Sequence, residues 1–248
     1  MLVLALDTAT SVVTAGLVEL SGDPVTLAAR AHSGPPTRPS KHGELLTPAV
    51  RALCAETGRT LSEVEAVVVG AGPGPFTGLR VGIASAAAFG HALDVGVHGV
   101  CTHDAIALTA CSAGGTRIDT AVGATEPGAE IPRAGTGNLL VVTDARRREV
   151  YWAAYDPAGR RLSGPAVEAP DALAARLPQL AIGTVVGDPA FAGRLGVAIA
   201  GPSAPAPEGL VGVAAAALRA GREPAPVEPL YLRRPDAVEP TGRKRVTA

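Results

Sequence analysis

Leu2, Val3, Leu4, Ala5 and Leu6 form an unbroken apolar run that stops at Asp7, and an apolar, β-branched stretch resumes from Val12 to Leu20 after Thr8, Ala9, Thr10 and Ser11. Two short runs around turn residues predict a β-hairpin. The pattern returns at Leu139 to Thr143, ending at Asp144, with Ala145 to Glu149 as a polar turn and Val150 to Tyr155 as the return strand. Each copy sets a carboxylate at the end of a buried strand and a valine six residues later, Val13 and Val150. Such self-similarity points to duplicated halves, against the alternative of two hairpins alike by chance.

Between the copies, Leu45, Leu46, Ala49, Val50, Leu53 and Cys54 give Glu44 to Glu56 the period of an amphipathic helix, interrupted by Pro48 near its start. Val64 to Val69 reads as a buried strand, Gly70 to Phe76 as a loop and the Ala-rich Thr77 to Leu93 as a helix. Thr102 can cap a further helix through Cys111. Later, Asp171 to Leu177 suggests a helix, Thr184 to Val186 a strand, and Leu210 to Ala220 a helix ended by Gly221. Alternating strands and helices imply an α/β fold with a partly parallel sheet. Gly114 to Gly137 lacks any period and reads as a mobile insertion; the basic tail from Thr241 reads as frayed. The expected division is an N-terminal lobe over 1–113, an insertion over 114–138 and a C-terminal lobe over 139–248.

Composition narrows the function. The 248 residues are 47% hydrophobic and include 30 glycines and 22 prolines, so the chain can bury a sizeable core without disulfides or metal. Twenty-two basic and 23 acidic residues leave a net charge of −1. That balance excludes holding nucleic acid by bulk electrostatics, since neutralising phosphates needs a basic surplus. Cys54, Cys101 and Cys111 are odd in number and lack CxxC spacing, which supports neither a secreted disulfide framework nor a zinc ribbon. The Leu2–Leu6 run has no basic flank and is too short for a signal segment or a membrane span, so a cytoplasmic protein without a membrane partner is expected.

The most distinctive segment is Gly70 to Arg80. It fails as a Walker loop because Leu79 and Arg80 follow Gly78, and as a dinucleotide fingerprint because Thr77 holds the third glycine position. Pro73 and Pro75 have no N–H to offer an anion, which leaves a tight turn into a helix whose first amides near Thr77 to Leu79 could meet an anion weakly. Gly78, Gly82, Ala86 and Gly90 then recur every four residues. Each interior glycine costs roughly 1 kcal/mol relative to Ala, so the stripe implies close packing, either inside its own domain or against a partner subunit. Arg146, Arg147 and Arg148 form the one dense basic cluster, either a solvated hairpin tip or an anion or partner contact.

No catalytic residue emerges. His98, Cys101 and His103 match neither a zinc finger nor an HExxH helix, His32 and His42 flank a Pro-rich loop, and no GxSxG elbow surrounds Ser40, Ser62, Ser85 or Ser112. Asp7 and Asp144 are a candidate carboxylate pair for Mg²⁺, or else each bonds its own turn. Asp7, Thr8, Thr77, Asp144 and Arg146 are therefore the candidate anion or nucleotide contacts, and no metal ligand is assigned.

Asp7-Thr-Ala-Thr, Gly72-Pro-Gly-Pro-Phe-Thr-Gly-Leu-Arg80, Asp144-Ala-Arg-Arg-Arg-Glu-Val-Tyr151 and Pro229-Leu-Tyr-Leu-Arg233 resemble, in order, the four signature segments of the bacterial TsaB (YeaZ) family of tRNA threonylcarbamoyladenosine biosynthesis proteins. Pro75 departs from the Ser that many members carry. The resemblance implies an actin-like, Hsp70-like ATPase (ASKHA) fold of two pseudo-duplicated lobes. It also implies a non-catalytic scaffold or activator in the complex that forms N6-threonylcarbamoyladenosine at position 37 of tRNAs reading codons beginning with A. The implied partners are a TsaD-like transferase subunit carrying the metal-binding histidine pair and a TsaE-like ATPase. ATP, ADP and metal would then reside in the partners, tRNA would be met only through the complex, and the isolated chain could form a homodimer. Under this resemblance Lys41-His42-Gly43-Glu44 opens the first partner-facing helix, with Leu46, Val50 and Leu53 on the apolar surface, and Gly78, Gly82, Ala86 and Gly90 mark the second. Two competing readings are a free-standing kinase-like ATPase of the same fold, which lacks a proper phosphate loop here, and a metallopeptidase, which lacks ligands.

Overall fold

Sheet 1 holds β1 (Leu2–Asp7), β2 (Val12–Leu20), β3 (Pro24–Ser33), β4 (Ala66–Gly70) and β5 (Val97–Val100) in the order β3-β2-β1-β4-β5. β1 runs antiparallel to β2 and parallel to β4. Sheet 2 holds β6 (Asn138–Asp144), β7 (Val150–Tyr155), β8 (Arg161–Glu168) and β9 (Ile182–Gly187) in the order β8-β7-β6-β9, and β6 is again antiparallel to β7 and parallel to β9. β1, β2, β3 and β4 thus correspond to β6, β7, β8 and β9. Two lobes of this topology make the α/β, actin-like and Hsp70-like (ASKHA) fold that the family resemblance implies, with the duplication that the repeated hairpins suggested. The computed structural model describes residues 1–33, 42–111 and 137–233. Ser40, Lys41, Ser112, the expected insertion as far as residue 136 and the tail from Thr241 lie outside the described residues.

Because side chains alternate along a strand, the unbroken apolar run of β1 feeds two cores. Leu2, Leu4 and Leu6 meet α1 (His42–Thr57) and α2 (Phe76–Leu93), while Val3 and Ala5 meet α6 (Pro207–Arg219). Sheet 2 is covered likewise: α4 (Pro170–Arg176) and α5 (Ala192–Leu195) supply Leu173 and Leu195 on one face, and α3 (Thr102–Cys111) supplies Ile106 and Ala107 on the other.

The expected boundary needs correction. α6 follows sheet 2 in sequence yet buries Leu210, Val211, Ala214 and Leu218 against Val3, Val18 and Val68 of sheet 1. Gly16 of β2 permits this approach, since a Cβ there would overlap the ring of Pro207. The segment 139–248 is therefore not one lobe; α6, with Pro224 and Val227 after it, packs on the first sheet. After α6, residues 222–233 form an extended strap along edge strand β5, with Pro224 over Gly96 and Val227 over Gly99.

Candidate functional site

The two lobes meet at the start of α3, where adjacent side chains bond in opposite directions. The Thr102 hydroxyl donates to Oδ2 of Asp7 at 2.6 Å, and Nε2 of His103 lies 2.8 Å from Oγ1 of Thr143 in sheet 2. The Ala9 amide donates to the second Asp7 oxygen at 2.8 Å. Asp7 is fully buried, and burial pushes its carboxyl up to about 6 despite these hydrogen bonds. Burial, with help from the Arg161 charge, pushes His103 down to about 3, so its ring is neutral. Thr8 is buried as well and donates to the Gly78 carbonyl at 2.7 Å.

These contacts correct the anion-site expectation. Asp7 and Thr8 face the protein interior, with their oxygens engaged by backbone and Thr102. Asp144 accepts from the Arg146 amide at 2.7 Å and pairs with its guanidinium at 3.2 Å. Together they line a cleft of about 90 Å³ closed by Ala9, Ser11, Pro75, Asp188 and Ser203, in which Asp7, Thr8 and Thr77 take no part. Thr77 is exposed in the first turn of α2, beside Phe76 and Arg80. Small-molecule pockets run to several hundred Å³, several times the volume of this cleft.

A larger cavity of about 510 Å³ lies between β5, α3, β8, α6 and the strap, where Asp104 and Arg161 form an ion pair at 3.2 Å. Cys101 lines it, but burial pushes its thiol up to about 11, which keeps it protonated and unreactive. His98 lines the same cavity, whereas His103 turns toward Thr143, so the three residues clustered in sequence do not converge. Among the described residues, no group of three or more His, Cys, Asp or Glu side chains could hold a metal ion. Nor is any described helix long and apolar enough to cross a membrane.

The helix stripe also resolves differently. Gly78, Gly82, Ala86 and Gly90 are the buried side of α2: a Cβ on Gly82 would overlap the Thr8 hydroxyl, and one on Gly90 would overlap Val97. Leu46, Val50 and Leu53 of α1 are 0–1% exposed and share a core with Ala86 and the β1 leucines. All seven expected partner-facing residues therefore pack inside their own lobe, because the sheet beneath takes the apolar stripe of each helix. The outward face of α2 instead presents Thr77, Ala84, Ala87, Ala88 and Ala92, and that of α1 presents Thr47, Pro48, Arg51, Ala52 and Ala55.

Four loops converge beside the junction. Gly74 abuts the Ala9 carbonyl so closely that a Cβ would overlap it, and the Tyr151 hydroxyl donates to the Gly74 carbonyl at 3.5 Å. The strap closes the group: the Leu230 amide donates to the Ala71 carbonyl at 2.8 Å, Tyr231 stacks on Phe76 at 4.9 Å, and Arg233 donates to the Ala145 carbonyl at 3.2 Å and pairs with Glu149 at 2.7 Å. The sequence model of the TsaD family, described as tRNA N6-adenosine threonylcarbamoyltransferase, matches residues 34–200, about two thirds of the chain. The structure of YeaZ from Pseudomonas aeruginosa superposes with a TM-score of 0.66 at 26% identity, covering 93% of this chain and 99% of that one.

The chain belongs to the TsaB (YeaZ) family. The TsaB protein of Escherichia coli, a tRNA threonylcarbamoyladenosine biosynthesis protein, is 30% identical over 117 residues, 47% of this chain and 42% of that protein. Uncharacterized protein Rv3421c of Mycobacterium tuberculosis is 46% identical over 240 residues, 95% of this chain and 93% of that protein. In this TsaB-family fold the four signature segments are the four loops that meet at the junction. The turn after β1, the loop before α2, the turn after β6 and the strap hold one another through backbone and side-chain contacts.

Proposed function

We propose that this chain is a non-catalytic subunit of the complex that forms N6-threonylcarbamoyladenosine at position 37 of tRNAs reading codons beginning with A, and that it acts by heterodimerising with a TsaD-like transferase subunit. The observation that carries this reading is the full-length likeness to YeaZ together with an Asp7 that is buried and hydrogen-bonded rather than open to substrate. In the kinase-like alternative, Asp7 and Asp144 would share a metal nucleotide; here one is sealed in the core and the other is paired with Arg146. ATP, ADP and metal reside in the partner subunits, one of them a TsaE-like ATPase, and tRNA is met in the assembled complex.

The partner lies on the outward faces of α1 and α2, which are neighbours on sheet 1. Ala84, Ala87, Ala88 and Ala92 keep that face of α2 shallow, so a helix of another subunit can approach the backbone closely. The isolated chain can use the same face to form a homodimer. Co-expression with the TsaD-like subunit of the same organism tests this reading: a stable one-to-one complex supports it, and two separately eluting proteins refute it.

A further inference from the structure

The arginine turn lies outside the proposed heterodimer face, and its backbone is unusual. Arg146, Arg147 and Arg148 all have left-handed backbones, with φ of 62°, 52° and 65°. Side-chain-bearing residues avoid this conformation, and Gly or Asn would hold the same turn with less strain. The loop is fixed by two backbone hydrogen bonds, from Ala145 to the Glu149 carbonyl at 3.1 Å and from Glu149 to the Arg146 carbonyl at 3.0 Å. Three cationic side chains thus stand where the backbone alone would favour other residues, which points to a use for the side chains.

Their surroundings indicate that use. All three arginines are exposed. Arg194 donates to the Arg148 carbonyl at 3.0 Å, and Arg233 reaches the turn from the strap. Two residues before Arg233, exposed Tyr231 stacks on exposed Phe76, and the Arg80 guanidinium lies 4.0 Å above the Phe76 ring. Among the described residues the carboxylates of the patch are Asp144, Glu149, Asp171 and Asp188; the first three pair with Arg146, Arg233 and Arg194, and Asp188 lines the cleft beside Arg146. Among the described residues, the guanidiniums of Arg80, Arg146, Arg147, Arg148, Arg194 and Arg233 thus outnumber these carboxylates, so a chain of net charge −1 carries a local cationic surplus beside aromatic rings, at the N-terminal end of the helix proposed to meet the partner.

We infer that the Arg146–Arg148 turn, with Arg80, Phe76 and Tyr231, is the surface on which this subunit contacts the phosphate backbone of the RNA substrate in the assembled complex. Guanidiniums neutralise phosphates and the outer face of the exposed Tyr231 ring can accept an unstacked base, whereas the chain as a whole, at net charge −1, has no basic surplus to bind RNA by itself. The inference rests on the assembly reading above.

The test replaces both side chains while favouring the backbone: Arg147→Gly with Arg148→Gly. Fluorescence anisotropy of labelled tRNA with the purified two-subunit complex, between 50 and 200 mM salt, should show affinity reduced about tenfold or more and a log–log salt slope smaller by about 1–2. The melting temperature should hold or rise, because glycine relieves the left-handed strain. An intact complex with unchanged affinity and slope would overturn the inference alone. So would loss of the complex itself in the absence of RNA, which would make the turn a protein contact. Failure of the wild-type chain to form any complex would refute the assembly reading, and this inference with it.

Discussion

The Thr8 hydroxyl fills the space that a side chain on Gly82 would need, while donating its proton to the Gly78 carbonyl one turn earlier in α2. One buried threonine thus explains why α2 has glycine at position 82 despite the helix propensity lost. It also separates the two faces of the helix experimentally. Gly82→Leu should destabilise the isolated chain by roughly 1–3 kcal/mol or more through overpacking. Ala88→Arg on the outward face should leave the melting temperature unchanged and abolish the heterodimer. Thermal melts and a pull-down on both variants check this; a stable Gly82→Leu protein would contradict the packing described.

Asp7 gives a pH prediction with a definite sign. Its folded pKa of about 6 exceeds the ordinary 3.8, so between these values the native state holds a proton that the unfolded state releases. Its contribution therefore favours folding at low pH and is lost as pH rises through 6, by roughly 3 kcal/mol in all. His103 contributes the opposite slope, because its folded pKa lies below 6.5. Comparing Asp7→Asn with wild type cancels the histidine. Urea unfolding at pH 4 and pH 7 should show the variant gaining on wild type as pH rises, and parallel stability profiles would contradict the assignment.

The strap should behave as a tie between the lobes. Arg233 and Glu149 are each about one-third exposed, so their pair is only partly screened. A double-mutant cycle of Arg233→Ala and Glu149→Ala should give a coupling of about 0.5–1.5 kcal/mol. Hydrogen exchange in Arg233→Ala should accelerate at the Leu230 amide, which bonds to Ala71. Unchanged exchange there would show that the Pro224 and Val227 contacts hold the strap unaided.

Much of the fold was legible because short continuous apolar runs bounded by turn residues mark β1, β2, β6 and β7 directly in the sequence. β3, β5 and β8 were not: Arg30 and His32 in β3, His98 and Gly99 in β5, and Gly164 and Pro165 in β8 break the apolar pattern, as suits outer strands. The return of α6 to sheet 1 depends on long-range packing over Gly16, for which no local signal exists. On α2, a glycine stripe and an alanine stripe run side by side at helical spacing. Only the position of Thr8 and β4 decides which one turns inward. The candidate site shows the same limit: the sequence locates Asp7 and Asp144 at equivalent strand ends, but Thr102, 95 residues beyond Asp7, bonds the first in the core, while the second is partly exposed and paired with Arg146.

Formation of N6-threonylcarbamoyladenosine in a reconstituted reaction tests the proposed role most directly. Unmodified tRNA is incubated with the TsaD-like subunit and the remaining components of the same organism, with and without this chain, and the modified nucleoside is quantified by mass spectrometry. The account predicts robust modification only when the chain is present, near-background product with Ala88→Arg, and no product from the chain alone. Equal yields with and without the chain would contradict it.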